Sequence, residues 1–133
     1  MDQNQINLVK NSFNEMKPQA DKLVDLFYGN LFKNAPNFIP LFPSDMTEQK
    51  KKLIAALVAV VTSLDNLEKI LPVIEDLGRK HTQKFGVKPE DYNVVGGSLI
   101  QSMQTLMGEK FTKEVENAWE TAYGILASVM IKA

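Results

Sequence analysis

Residues 71–81 read LPVIEDLGRKH, and the spacing of their apolar side chains is helical. Ile74, Leu77 and His81 follow one another at intervals of three and four residues, so a helix would carry all three on one face. Pro72 suits the first turn of such a helix, because the amide hydrogen that proline lacks is not needed there. The only histidine of the chain therefore extends an apolar stripe toward the interior of the protein.

The same period of three to four residues runs through the rest of the chain, and no segment shows the sustained alternation of a strand. Prolines and capping residues divide the pattern into helices. The first two predicted helices run from Asp2 to just before Pro18 and over about 20–33. The third begins at Ser44, Asp45 or Thr47 and ends at about Leu64, and the region 67–81 forms two short pieces. The last two run from after Pro89 to near Gly108 and from Thr112 onward. The proline-rich stretch 37–43 (NFIPLFP) and the segment 84–92 are predicted as loops without regular helix. The sequence thus predicts one all-α domain over residues 1–133.

The composition is that of a soluble globular protein, with 44% hydrophobic and 23% charged residues. Fifteen basic and 16 acidic residues leave a net charge of -1, which argues against nucleic-acid binding by bulk phosphate attraction and against a polybasic membrane-surface protein. The absence of cysteine excludes disulfides, thiolate zinc sites and iron–sulfur clusters. The N-terminus lacks the apolar core of a secretory signal, and the apolar run 53–61 is too short to span a bilayer. We therefore expect a cytoplasmic protein.

A single histidine limits the metal chemistry that is open to the chain. One imidazole cannot hold zinc without other ligands, whereas haem iron needs only one protein ligand because the porphyrin supplies four nitrogens. The alternative for His81 is a partly buried histidine that is hydrogen-bonded to a carbonyl. Arg79 and Lys80 precede it on the same helix, and both are expected to point away from its apolar face.

A haem site also needs an apolar slot and a donor for a bound gas, because dioxygen gains partial negative charge when it binds. Phe42 lies in the proline-stiffened loop, which would hold its ring in place; the alternative is a plug that closes the end of the core. Gln49 begins the apolar face that Leu53 continues, and Tyr28 lies in the apolar run 26–32, so both are candidate donors. The alternative for Tyr28 is a core tyrosine that is bonded to a carbonyl.

Taken together, these features resemble the globin family, and most closely the bacterial single-domain haemoglobins and the haem domains of flavohaemoglobins. The resemblance covers essentially the whole chain and rests on the order and spacing of several motifs. These are LFYGNLF (26–32), PLF (40–42), Gln49 with Leu53, DNLEKILP (65–72), LGRKH (77–81), VKPEDYNVVG (87–96) and AWETAYGILA (118–127). The resemblance implies a globin fold, with helices packed around a pocket for haem b (iron protoporphyrin IX).

The resemblance also implies a role for individual residues. His81 would be the proximal iron ligand, and Tyr28 and Gln49 would stabilise the bound gas on the distal side. Phe42 would pack against the porphyrin ring, and Tyr92 matches a tyrosine on the proximal side of flavohaemoglobins. The remaining haem contacts would be Lys52, which could reach a propionate, and Leu53, Leu77, Val87 and Leu99.

Several functions are compatible with such a site. Reversible oxygen binding, for storage, delivery or scavenging, is the function that we expect; dioxygen, nitric oxide and carbon monoxide are the expected ligands. The alternative is a nitric oxide dioxygenase, which makes nitrate and needs a separate reductase, since the flavin and nicotinamide domains of flavohaemoglobins have no room in 133 residues. A haem-based sensor normally needs an attached output domain. A haem-free, protein-binding globin is disfavoured, because it would not need an inward polar pair across from His81.

Overall fold

The computed structural model describes all 133 residues, and it contains helices and no strand. The α-helices are α1 (Gln3–Met16), α2 (Ala20–Asn34), α3 (Thr47–Thr62), α4 (Leu71–Phe85), α5 (Asp91–Met107) and α6 (Lys113–Lys132). Short 3₁₀ helices cover Lys17–Gln19, Pro36–Leu41, Leu64–Lys69 and Gly108–Lys110. The all-α prediction is confirmed. None of the helices has both the length and the apolar character that a membrane span requires.

Local capping residues set the ends of the first and last helices. The Asp2 carboxylate accepts a hydrogen bond from the backbone N–H of Gln5 (2.8 Å), and the Gln5 side chain accepts one from the Asp2 backbone, which completes a capping box. Thr112 caps α6 by accepting from the backbone N–H of Val115 (3.2 Å). These caps agree with the sequence prediction because capping depends on residues within one turn of each other.

Two segments that were predicted as loops are partly helical. Pro36–Leu41 forms a 3₁₀ helix, because the φ that proline imposes fits this tighter helix. A short 3₁₀ helix has few internal hydrogen bonds, so the N–H groups that proline lacks are not needed. α4 continues through Lys84 to Phe85, because Gly86 is the first residue to leave the helix, with φ of 61° in the left-handed region. The real loop before α5 is therefore shorter than predicted.

α2 and α5 are joined by two hydrogen bonds between side chains. Asn30 Nδ2 donates to Ser102 Oγ (2.9 Å), and Asn34 Nδ2 donates to Ser98 Oγ (3.1 Å). Ser98 and Ser102 are completely buried. Because Tyr28 lies two residues before Asn30, it projects from the opposite side of α2 and faces the interior cavity.

α4 packs against α6 with their backbones in direct contact at Gly78. A Cβ atom placed on Gly78 would lie 2.6 Å from the carbonyl oxygen of Met130. Glycine is therefore the residue that lets α4 approach α6 this closely. The contact lies one helical turn before His81, so it determines how far that histidine stands from α6.

Candidate functional site

A cavity of about 480 Å³ lies among the helices, and all six α-helices contribute to its wall. Twenty-five of its 30 lining residues are hydrophobic. All ten residues that the sequence identified as site residues line it, namely Tyr28, Phe42, Gln49, Lys52, Leu53, Leu77, His81, Val87, Tyr92 and Leu99. The fold therefore brings one imidazole, two polar donors and an apolar wall into the same space.

Tyr28 and Gln49 form a hydrogen-bonded pair inside this cavity. Tyr28 is 5% exposed, and Gln49 Nε2 donates to its hydroxyl oxygen at 3.3 Å. Burial raises the pKa of Tyr28, an effect that the hydrogen bond from Gln49 partly offsets. The hydroxyl has no carbonyl partner, contrary to the alternative of an ordinary core tyrosine. Its proton is therefore retained and free to be donated to a ligand in the cavity.

His81 is half-buried on α4 and lies beside Tyr92, whose hydroxyl oxygen is 3.4 Å from His81 Nδ1. Burial lowers the pKa of His81, which favours the neutral imidazole that can bind a metal. Tyr92 is itself held by Tyr123, whose hydroxyl donates to the Tyr92 carbonyl at 2.7 Å. No backbone carbonyl is hydrogen-bonded to the imidazole, so the structure does not support the alternative of a carbonyl-bonded histidine at position 81.

A series of aromatic contacts in the cavity wall links Tyr28 to His81. The Phe42 ring is edge-on to Tyr28 (centroids 5.6 Å apart) and stacks on Phe85 (6.0 Å apart, planes 17° from parallel). Phe85 lines the cavity but is absent from the predicted site. It lies four residues after His81, on the same face of α4, and this spacing is the signal that could have found it.

Three lysines, Lys52, Lys80 and Lys84, are the charged residues of the lining, and no carboxylate shares it. The expectation that Lys80 points elsewhere is wrong, because its long side chain reaches the rim of the cavity. Lys80 also pairs with Asp76 at 3.1 Å. Arg79 points away from the cavity, as expected: its Nη2 lies 3.9 Å from Asp76 Oδ1, and the residue is not part of the cavity wall.

The globin family model matches residues 25–130. The chain belongs to the globin family. The globin is 31% identical to a flavohemoprotein of Bacillus subtilis over 98% of this chain and 33% identical to a flavohemoprotein of Vibrio cholerae over 97% of it. In each case the globin spans only 33% of the relative's length.

Solved structures agree with this assignment. A bacterial globin from Campylobacter jejuni superposes with a TM-score of 0.87 at 27% identity, covering 98% of this chain and 94% of the other. An engineered carbene transferase from Rhodothermus marinus gives a TM-score of 0.88 at 24% identity, covering 99% and 92%; at this identity it supports the fold alone. The predicted globin fold is confirmed.

The residues of the cavity fit a haem, as the globin and flavohemoprotein relatives imply. The cavity offers one neutral imidazole, which is all the protein ligation that haem iron needs. Its wall is mainly apolar, as the faces of a porphyrin require, and its lysines would meet the carboxylates of the propionates. His81 would hold the iron, and Lys52, Lys80 and Lys84 would hold the propionates.

Proposed function

We propose that residues 1–133 form one globin domain that binds haem b through His81 and reversibly binds dioxygen beside Tyr28 and Gln49. The observation that carries this proposal is the Gln49–Tyr28 hydrogen bond in the same apolar cavity as the only histidine. When bound, the haem iron supplies reversible coordination of a diatomic gas: dioxygen, nitric oxide or carbon monoxide.

On the α4 side, the protein holds the imidazole in one orientation. The Tyr92 hydroxyl at 3.4 Å gives Nδ1 a partner, and a partner on one ring nitrogen directs the other nitrogen to the metal. Tyr92 is fixed in turn by the hydrogen bond that Tyr123 donates to its carbonyl. In this arrangement Nε2 of His81 would hold the iron.

On the other side of the haem, Tyr28 would supply the proton of a hydrogen bond. Gln49 Nε2 donates to the phenol oxygen, so the hydroxyl hydrogen is directed away from Gln49 and is available to a ligand in the cavity. Leu53 and Leu57 also line the cavity and would exclude water that competes for the hydroxyl. A polarised ligand such as dioxygen gains most from such a donor.

Replacement of Tyr28 by Phe tests the proposal. Loss of a hydrogen bond of about 1–3 kcal/mol should raise the dioxygen dissociation rate by about 5- to 150-fold. The carbon monoxide dissociation rate should change much less, because that ligand carries less negative charge. Thr105→Val is the control, since it removes a hydroxyl whose proton is bonded to a carbonyl outside the cavity wall. An unchanged dioxygen dissociation rate in Tyr28→Phe would show that this hydroxyl does not contact the ligand.

A second candidate is nitric oxide dioxygenation, favoured by the match of nearly the whole chain to flavohemoproteins. One nitric oxide, one dioxygen and one electron give one nitrate, and a separate flavin reductase would supply the electron in the cytoplasm. The part played by this chain would be the stabilisation of negative charge by Tyr28 and Gln49. Nitrate should accumulate over many turnovers with a flavin reductase and stop after one turnover without it. A failure of the reductase to sustain nitrate formation would leave oxygen binding as the function.

A further inference from the structure

Phe85 is held at a fixed place because it is the last residue of α4. The next residue, Gly86, ends the helix, and its N–H donates to the Thr82 carbonyl at 3.1 Å. The N–H of Val87 then donates back to the His81 carbonyl at 3.2 Å. These two bonds close the helix end and fix the backbone that carries Phe85, one turn after the histidine.

The Phe85 ring connects α4 to the opposite wall of the cavity. It lies 6.4 Å from the His81 ring and stacks on Phe42 with centroids 6.0 Å apart. Phe42 is itself packed edge-on against Phe32 (5.4 Å) and Tyr28 (5.6 Å) of α2. A continuous chain of aromatic contacts thus joins the histidine helix to the helix that carries the tyrosine.

Phe42 has little freedom to move away from this contact. Pro40 and Pro43 lie on either side of it, and its N–H donates to the Ile39 carbonyl at 3.2 Å. Because proline fixes its own φ and restricts the residue before it, the backbone on both sides of Phe42 is stiff. Both partners of the stack are therefore anchored by their backbones.

The stack forms a part of the cavity wall that is not fully enclosed. Phe42 and Phe85 are both half-buried and both line the cavity. Lys84, which precedes Phe85, is exposed to solvent and also lines the cavity, so this part of the wall reaches the surface. A bulky planar group that leaves the cavity along this edge would have to separate the two rings.

We propose that Phe42 and Phe85 form an aromatic clasp that retains the haem by joining α4 to the proline-rich loop. This inference rests on the proposed haem binding and adds a residue, Phe85, that acts on how long the haem stays bound. The contact between the rings must break before the haem escapes. The two residues therefore act as a pair, and removal of either one removes the same barrier.

A double-mutant cycle on haem loss tests the clasp. Ferric haem-loaded wild-type protein, Phe42→Leu, Phe85→Leu and the double variant are each mixed with excess apomyoglobin, and the rate of haem transfer is read from absorbance. Leucine keeps an apolar side chain at each site. Phe111→Leu is the control, because this partly buried phenylalanine lies outside the cavity wall. Phe85→Tyr restores a ring, and far-ultraviolet circular dichroism checks that each variant is folded.

An aromatic pair contributes a factor of about 2 to 12. Each single Leu variant should therefore lose haem faster than wild type by at least this factor. The rate of the double variant should fall short of the product of the two single effects by a similar factor, and Phe85→Tyr and Phe111→Leu should stay near wild type. Independent, multiplicative effects, or an unchanged rate in Phe85→Leu, would overturn the clasp while leaving haem binding intact. A wild-type chain that takes up no haem would overturn the proposed function as well.

Discussion

Two walls of the cavity, α4 and α3, are held in place in different ways. α4 carries His81 and touches the backbone of α6 where Gly78 meets Met130. α3 carries Gln49 in its first turn and fully buries one residue, Val61. The wall that would bind iron is thus fixed by backbone contact. The wall that faces the gas depends on side-chain packing, the Gln49–Tyr28 hydrogen bond and the Lys50–Asp25 ion pair (2.7 Å). Substitution at the backbone contact of α4 should alter folding and haem binding together, and substitution of Gln49 in α3 should alter gas binding alone.

His81→Ala should have the largest effect on this comparison. Loss of a residue that only supports a metal ligand typically lowers metal affinity by about 10- to 100-fold. Loss of the iron ligand itself should lower haem affinity by more than this. Titration of the apoprotein with hemin, followed by absorbance, measures this affinity. An unaltered affinity and an unaltered spectrum of the reduced form would remove the assignment of His81.

Gly78→Ala should give the next largest effect, because the new methyl group would collide with backbone rather than with a movable side chain. We expect the free energy of unfolding of the apoprotein to fall by up to about 2 kcal/mol, after allowing for the roughly 1 kcal/mol that alanine gains in helix propensity. Gly124→Ala in α6 is the matched control, since a Cβ atom there meets open space. Denaturant unfolding that showed the two variants to be equally stable would mean that the α4–α6 contact is not a tight one.

Gly86→Ala should act on both the stability of α4 and the retention of haem. A residue with a Cβ atom at φ of 61° costs about 1–2 kcal/mol, and the strain would fall next to Phe85. We expect a lower free energy of unfolding and faster haem transfer to apomyoglobin. Gly97→Ala, at an unstrained and open position in α5, should change the haem transfer rate little. Equal haem transfer rates in the two variants would mean that the end of α4 does not affect how long haem stays bound.

Gln49→Leu should give the smallest effect and should act on the gas alone. It removes one hydrogen bond to the Tyr28 hydroxyl, so the dioxygen dissociation rate should change by about 2- to 12-fold, as expected for a neutral hydrogen bond of about 0.5–1.5 kcal/mol. Haem affinity and unfolding should match those of Gln19→Leu, a substitution at an exposed residue outside the cavity wall. A large loss of haem affinity in Gln49→Leu would contradict the division between the two walls.

The sequence predicts the caps of the first and last helices correctly, whereas the cap of α3 that was expected at Ser44, Asp45 or Thr47 is wrong, because α3 begins after Met46 with no side-chain cap. The caps at Asp2 and Thr112 depend on residues within one turn, and the face shared by Leu77 and His81 depends on helical spacing alone. The grouping of the ten site residues could be predicted because their motifs resemble a family with a known fold. Periodicity alone predicts only a helical bundle.

Contacts between distant parts of the chain could not be predicted. The approach of Gly78 to Met130 depends on how α4 crosses α6, and the Phe42–Phe85 stack depends on where a loop meets a helix end. Lys80 was placed wrongly because helical spacing describes the direction of a Cβ atom, whereas a long side chain can reach the rim from a neighbouring face. Such features become visible only when the helices are assembled.

The proposed haem binding is best tested by hemin titration of the purified chain, followed by reduction and exposure to air. We predict saturation at one haem per chain, with an absorption spectrum that changes on oxygenation and returns when oxygen is removed. An absorption band that never saturates, or a reduced protein whose spectrum does not respond to oxygen, would contradict it.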